Sequence, residues 1–160
     1  ISWPSYINNL PFHPIRSRCY PPNRSLHMLL IRTELRASPL HGVGCFTLES
    51  IKANQPVWIY DERIDLRFRA NDLDDFPKVI QEFLLMHGYK EIHDGVEVIV
   101  LCGDNSKYMN HSLSPNLIEG SEDHTFINVA AFDIDPGEEL TCNYFDFDLD
   151  AGRKLGTVNN

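Results

Sequence analysis

Tyr144 closes the segment Gly137-Glu138-Glu139-Leu140-Thr141-Cys142-Asn143-Tyr144, which leaves an Asp135-Pro136-Gly137 turn and runs into β-prone residues. A tyrosine at a strand end either packs with its hydroxyl at the surface or presents that hydroxyl to a ligand. With an ordinary pKa near 10, the phenol is a poor base at neutral pH but a competent hydrogen-bonding group. Upstream, Lys107-Tyr108-Met109-Asn110-His111-Ser112, closed by Pro115-Asn116, sets an amide and an imidazole between an apolar-aromatic pair and a run of turn formers. Such a loop can hydrogen-bond an adenine edge, or it can satisfy its own backbone as an Asx-turn. A third segment, His41-Gly42-Val43-Gly44-Cys45-Phe46, lacks Cβ atoms at two positions, so its backbone can take φ > 0 and approach a ligand closely.

Taken in this order, the three segments resemble the signature of the SET-domain protein-lysine methyltransferases. The likeness runs from about Leu26 to Tyr144, with no matching motif between about Asp61 and Val100. It implies a β-rich α+β fold, the β-clip-like SET fold of small curved sheets with a C-terminal pseudoknot and a helical insert. The activity it implies is transfer of methyl groups from S-adenosyl-L-methionine, leaving S-adenosyl-L-homocysteine, to lysine side chains. Carried over residue by residue, the backbone of Gly42, Val43 and Gly44 lines the methionine part of the cofactor, and Asn110 and His111 hold its adenosine end. Lys107 stands where the family often has arginine, either meeting the cofactor's carboxylate or lying as a surface lysine in a turn. Tyr144 is the catalytic tyrosine. Tyr60, Tyr108, Cys142 and Phe145 are the candidate walls of the substrate lysine channel, with Phe147 beside them; the alternative is that these aromatics are core or anchor the tail. Asn116 and Glu139 are expected to brace the loops. Asn143 replaces the family's usual aspartate, and Cys142 its usual phenylalanine or tyrosine. The zinc-bound cysteine clusters that flank many SET domains have no counterpart here, so no metal is expected.

Methyl transfer from a sulfonium to an amine is an in-line displacement that needs a neutral, aligned and dry nucleophile. Positioning and relief of charge at sulfur supply most of the effect. The runner-up reading is a catalytically silent SET-like module that binds a peptide or protein. A metal-dependent hydrolase is disfavoured, because the seven histidines include no helical i, i+4 ligand pair in zincin spacing.

Composition bounds the partners. A formal net charge of −9 argues against direct nucleic-acid binding, which needs clustered Lys and Arg. Acidic runs at Asp61-Glu62, Asp72 to Asp75, Glu122-Asp123 and Asp133 to Asp150 are either a solvated face or an attractor for a basic, lysine-containing protein or peptide, a histone tail among them. No apolar run reaches the length of a membrane span. The four cysteines lie far apart without a C-x-x-C pair, which points to reduced thiols and an intracellular, cytoplasmic or nuclear setting.

The positioning elements follow from periodicity. Residues 1–25 carry Pro4, Pro11, Pro14, Pro21 and Pro22 and read as an extended arm. Residues 26–148 form the SET domain, with about 61–95 a variable helical insert, and 149–160 a short tail. Strands are expected around Met28 to Ile31, at Cys45-Phe46, at Val57 to Tyr60 after the Lys52 to Pro56 turn, at Val96 to Leu101 and at Phe126 to Phe132. Leu73, Phe76, Ile80, Phe83, Leu84 and His87 recur at steps of three and four, predicting a helix over Phe76 to His87 capped by Asp74 or Asp75 and ended by Gly88.

Overall fold

The computed structural model describes residues 28–120 and 127–157. The Pro-rich arm, Cys19, the Glu122-Asp123 pair and Phe126 lie outside the described residues. In chain order the elements are β1 (Met28–Leu29), β2 (Thr33–Ala37), β3 (Val43–Thr47), β4 (Pro56–Ile59), β5 (Leu66–Arg69), α1 (Lys78–His87), β6 (Tyr89–His93), β7 (Val96–Leu101), β8 (Asn110–His111), β9 (Leu117–Glu119), β10 (Ile127–Ala130), β11 (Thr141–Cys142) and α2 (Ala151–Lys154).

These strands make four small sheets. β1-β4-β10-β9 and β5-β7-β6 are antiparallel, β2-β3 is a hairpin, and β8 pairs with β11 in parallel. Short β-branched runs broken every few residues by turn chemistry cannot build one large sheet, so the chain folds as several small ones. Two apolar clusters hold them together. One gathers Ile31, Cys45, Ile51, Val57, Met109, Leu117, Ile134, Leu140 and Cys142, and the other gathers Trp58, Tyr89, Val98, Val100 and Cys102. Leu29 and Phe147 pack against both. Each fully buried Ile, Leu or Val contributes about 1.5–3 kcal/mol, so these clusters are the main cohesion between sheets.

The expected β3, β4, β7 and β10 form where periodicity places them. The run after Met28 divides instead: Met28–Leu29 pairs with β4, and a bend at Ile31 sends Thr33–Ala37 into a different sheet. The helix starts later than predicted. Phe76 is extended at φ −88° and ψ 149° because it precedes Pro77, so the 3-10 turn Ala70–Asp75 ends there and α1 begins at Lys78 without a side-chain cap from either aspartate. Its C-terminus does end at Gly88. Segment 61–95 is more than a helix, since it also contributes β5 and β6 to the sheet around β7. Of the apolar stripe only Leu84 is buried, with Ile80 and Phe83 left exposed.

The C-terminal segment is tied back onto this insert. The Asp148 carboxylate, 1% exposed, accepts the backbone N–H groups of Lys90 and Asp150 and pairs with Lys154 at 2.7 Å. Lys154 also donates to the Gly88 carbonyl at the end of α1. These bonds fix Phe147 in the core, where it meets Tyr89 edge-on at 5.2 Å.

Candidate active site

The parallel pairing of β8 with β11 sets Thr141 against Asn110 and Cys142 against His111. Residues separated by thirty positions thereby become neighbours, and Tyr144 follows at the end of β11. Asn143 caps the next turn by accepting the Phe145 N–H. The Tyr144 backbone N–H donates to His111 Nδ1 at 3.2 Å, which leaves the imidazole hydrogen on Nε2. Its hydroxyl donates to the Met109 carbonyl at 2.7 Å. Burial pushes the phenol well above its ordinary value, reinforced by the nearby Cys142. The group therefore stays a neutral phenol across the physiological range.

Glycine spacing in the β2-β3 hairpin serves two different ends. Gly42 sits at φ +51°, and a Cβ built there would meet no atom within 4 Å, so its role is the left-handed turn itself. At Gly44 an added Cβ would collide with the Glu139 carboxylate, standing 2.7 Å from its Cδ and closer still to Oε1. The sequence reading reserved that space for the cofactor; the structure fills it with Glu139. That carboxylate accepts the Ser38 hydroxyl at 2.8 and 2.9 Å and the Asn110 amide at 2.7 Å. The same Asn110 amide also reaches the carbonyls of His41 at 3.0 Å and Val43 at 3.2 Å. Asn110 thus spends its NH2 group on holding the glycine loop, and a contact with an adenosine would fall to its side-chain oxygen or its backbone. Asn116 braces as expected: its amide donates to the Glu139 carbonyl and its oxygen accepts the Thr141 N–H, each at 2.8 Å.

Beside Tyr144 lies a cavity of about 70 Å³. Trp58, Tyr89, Tyr144 and Phe147 form its aromatic walls, Met109, Cys102 and Cys142 its sulfur-bearing ones, and Asn128 an amide among them. The rim carries Met86 and His87 of α1, Lys107, Asp148 and Lys154. Burial pushes the Cys142 thiol up to about 12 and the Cys102 thiol likewise to about 12, so neither is a thiolate at neutral pH. Desolvation also lowers His87, helped by the Lys107 and Lys154 charges.

Of the residues singled out in the sequence, the structure brings Cys142, Tyr144, Phe147 and Lys107 to this cavity and sets His111 directly behind Tyr144. Three aromatic candidates do not line it. The Tyr60 ring lies under the Arg67 guanidinium at 4.4 Å. Tyr108 packs on the first core cluster with its ring edge-on to His87 at 5.6 Å. Phe145, half-exposed, stands edge-on to His111 at 5.5 Å. The aromatic walls besides Tyr144 are Trp58, Tyr89 and the already named Phe147. The period-2 rule puts Trp58 on the same strand face as Tyr60, so Trp58 was legible once Tyr60 was considered. Tyr89 and Asn128 carry no local signal. Among the described residues no group of three or more His, Cys, Asp or Glu could hold a metal ion.

Comparison with known proteins agrees with the geometry. The SET domain family matches residues 42–145, well over half of the chain. No curated protein matches it. Similar solved structures include a humanized mutant of the Chaetomium thermophilum Polycomb Repressive Complex 2 bound to the inhibitor GSK126, at 23% identity and TM-score 0.56, covering 77% of this chain and 16% of that one. Another is the same complex in an autoinhibited conformation bound to S-adenosylmethionine, at 22% identity and TM-score 0.55, covering 79% and 17%. A third, the apo complex in an autoinhibited state, shares 24% identity at TM-score 0.57 and covers 79% and 17%. Those identities carry the fold, and this chain spans about a sixth of the chains it matches. With small antiparallel sheets, the parallel junction that sets Tyr144 behind the Asn-His loop, and the family match across both, the chain belongs to the SET-domain family and has a lysine-methyltransferase type of fold.

Proposed function

We propose that the protein transfers methyl groups from S-adenosyl-L-methionine to lysine side chains of a basic protein or peptide, a histone tail being one example. The observation that carries this is the double membership of Tyr144, a wall of the aromatic cavity that is also tied to His111 and Met109.

The residues fit the cofactor at the glycine loop. Space is open where a Gly42 side chain would stand and Val43 is exposed beside it, so this turn would line the methionine part of a ligand, with buried Gly44 behind it and the carbonyls of Gly42 and Val43 held by the Ser38 N–H and the Asn110 amide. The backbones of Asn110 and His111 would hold its adenosine end, and Lys107 its carboxylate. When bound, the cofactor supplies a methyl group activated on a sulfonium.

The chain's own residues do the rest. Trp58, Tyr89 and Phe147 exclude water, and their ring faces favour an entering alkylammonium. Tyr144 gives its hydrogen to the Met109 carbonyl, which leaves the phenolic lone pairs to accept an amine N–H or a weak methyl C–H contact. Because burial keeps this phenol protonated, it orients and does not act as base. The lysine proton leaves to water before transfer. A net charge of −9 attracts a Lys/Arg-rich segment from a distance.

Calorimetric titration with S-adenosylmethionine, followed by transfer of labelled methyl to core histones and to arginine-flanked peptides bearing one lysine, tests the proposal. Saturable binding with label on lysine is the expected result. Cofactor binding without transfer to any of these, or no cofactor binding by a chain that still binds the peptides, would favour the silent peptide-binding module, and binding of neither cofactor nor peptide would defeat both.

A further inference from the structure

Asn128 is the one carboxamide in a cavity lined mainly by rings and sulfur, with Ser106, Lys107, Asp148 and Lys154 as its other polar groups. The antiparallel register sets Asn128 of β10 opposite Trp58 of β4, so the two side chains stand on the same face of the sheet. Both line the cavity. The neighbouring polar groups are poor or committed partners. The Cys142 thiol faces the Met109 thioether at 3.9 Å, and the Tyr144 hydroxyl hydrogen belongs to the Met109 carbonyl. Asn128 itself is half-buried, and its carboxamide makes no hydrogen bond with any described residue. A half-buried amide that bonds to no described residue keeps hydrogen-bonding capacity that an occupant of the cavity can take up in place of water.

We infer that Asn128 recognises and orients the amine that enters the cavity, its carboxamide oxygen accepting an N–H of the lysine nitrogen. This deepens the methyltransferase reading and rests on it. A neutral primary amine has two N–H groups and one lone pair, and in-line displacement requires the lone pair to face the methyl group. The oxygens of Tyr144 and Asn128 are two acceptors for those two N–H groups. Together they fix rotation about the Cε–Nζ bond and leave the lone pair as the remaining direction. Asn128 exchanges no proton and forms no covalent bond. A monomethylated lysine keeps one N–H and a dimethylated lysine none, so the contribution of Asn128 is greatest for the unmethylated amine and vanishes as methyl groups accumulate.

Two measurements test this. In the first, n-butylammonium is titrated into the 15N-labelled protein while the side-chain NH2 resonances of Asn128, assigned by their loss in Asn128→Leu, are followed in the wild type and the backbone amides of the cavity residues Trp58, Cys142 and Tyr144 give the affinity in every variant. A saturable shift is expected in the wild type, with affinity about tenfold weaker in Asn128→Leu, the loss of one hydrogen bond, and retained in Asn128→Asp. Equal affinity in wild type and Asn128→Leu overturns the inference. In the second, single-turnover rates are compared for arginine-flanked peptides carrying one lysine, unmethylated or dimethylated. Asn128→Leu should slow the unmethylated substrate about tenfold and the dimethylated one less than twofold, with Asn128→Asp restoring the preference. Equal slowing of both marks Asn128 as merely structural and overturns the inference. A wild type that methylates no peptide yet shows the Asn128-dependent ammonium shift would sink the transferase reading and leave amine recognition standing.

Discussion

The carboxylate of Glu139 fills the space that a side chain on Gly44 would need, and that carboxylate is the knot holding Ser38 and Asn110 to the glycine loop. A Gly44→Ala change should therefore act first on the protein's own bracing and only through it on cofactor binding. The displaced carboxylate gives up its bonds, and overpacking of this kind costs about 1–3 kcal/mol. Chemical denaturation should record that loss, while Glu139→Ser in the same chain makes room and should recover part of it, a non-additive cycle. Gly42→Ala has open space but the wrong φ, so it should cost about 1 kcal/mol with no recovery from Glu139→Ser. Additive effects of Gly44→Ala and Glu139→Ser would show that the two residues are not coupled.

Tyr144→Phe removes the donor to the Met109 carbonyl and little packing, so stability should fall by about 0.5–1.5 kcal/mol. Turnover should drop by about two orders of magnitude or more, as for loss of a preorganised group at a reacting centre. Cofactor affinity, measured by calorimetry, should stay within severalfold of the wild type. A variant with full activity would reduce Tyr144 to a wall of the cavity.

Cys142 is a small, buried wall residue at the position where the resemblance to the family implies a phenylalanine or tyrosine. The space left beside the lysine nitrogen should admit an amine that already bears a methyl group, giving di- or trimethyl product. Cys142→Tyr would fill much of the cavity and should shift the product to monomethyl, at an overpacking cost of about 1–3 kcal/mol. Mass spectrometry of the methylated peptide reads both; exclusive monomethylation by the wild type, unchanged in the variant, would refute the argument.

Alkaline pH should destabilise the fold. Burial raises Cys45 to about 11 and Cys102 and Cys142 to about 12, against an ordinary value of 9.0. The native thiols keep their protons while those of the unfolded chain are lost, so the stabilisation is complete below about pH 9 and disappears as pH rises through 11 to 12. In that window each thiol removes at most about 1.4 kcal/mol per pH unit. Urea unfolding from pH 7 to 11 should show falling stability above pH 9, and the three thiols should resist alkylation at pH 7.5 until the protein unfolds. Rapid alkylation of Cys142 in the folded state would contradict its burial.

What the sequence determined by itself was the family, the strands β3, β4, β7 and β10, and the segments that carry the proposed chemistry. Asn110, His111 and Tyr144 announce themselves because a short loop, a turn and a strand end are local structures written in contiguous residue types. Glycine spacing announced a close approach, but only packing decided that Glu139 is what approaches Gly44. The helix register was legible from periodicity, whereas its start was set by the Phe76-Pro77 step, whose steric restriction outweighs the aspartate caps. The cavity belongs wholly to tertiary structure. Trp58, Tyr89, Asn128 and Phe147 come from four separate elements, brought together by strand register and by the Asp148 anchor, and no spacing along the chain encodes that meeting. Tyr60, Tyr108 and Phe145 have the same composition of signal as the aromatics that line the cavity. Which aromatic faces the cavity is fixed by long-range packing, and a one-dimensional pattern of residue types does not contain it.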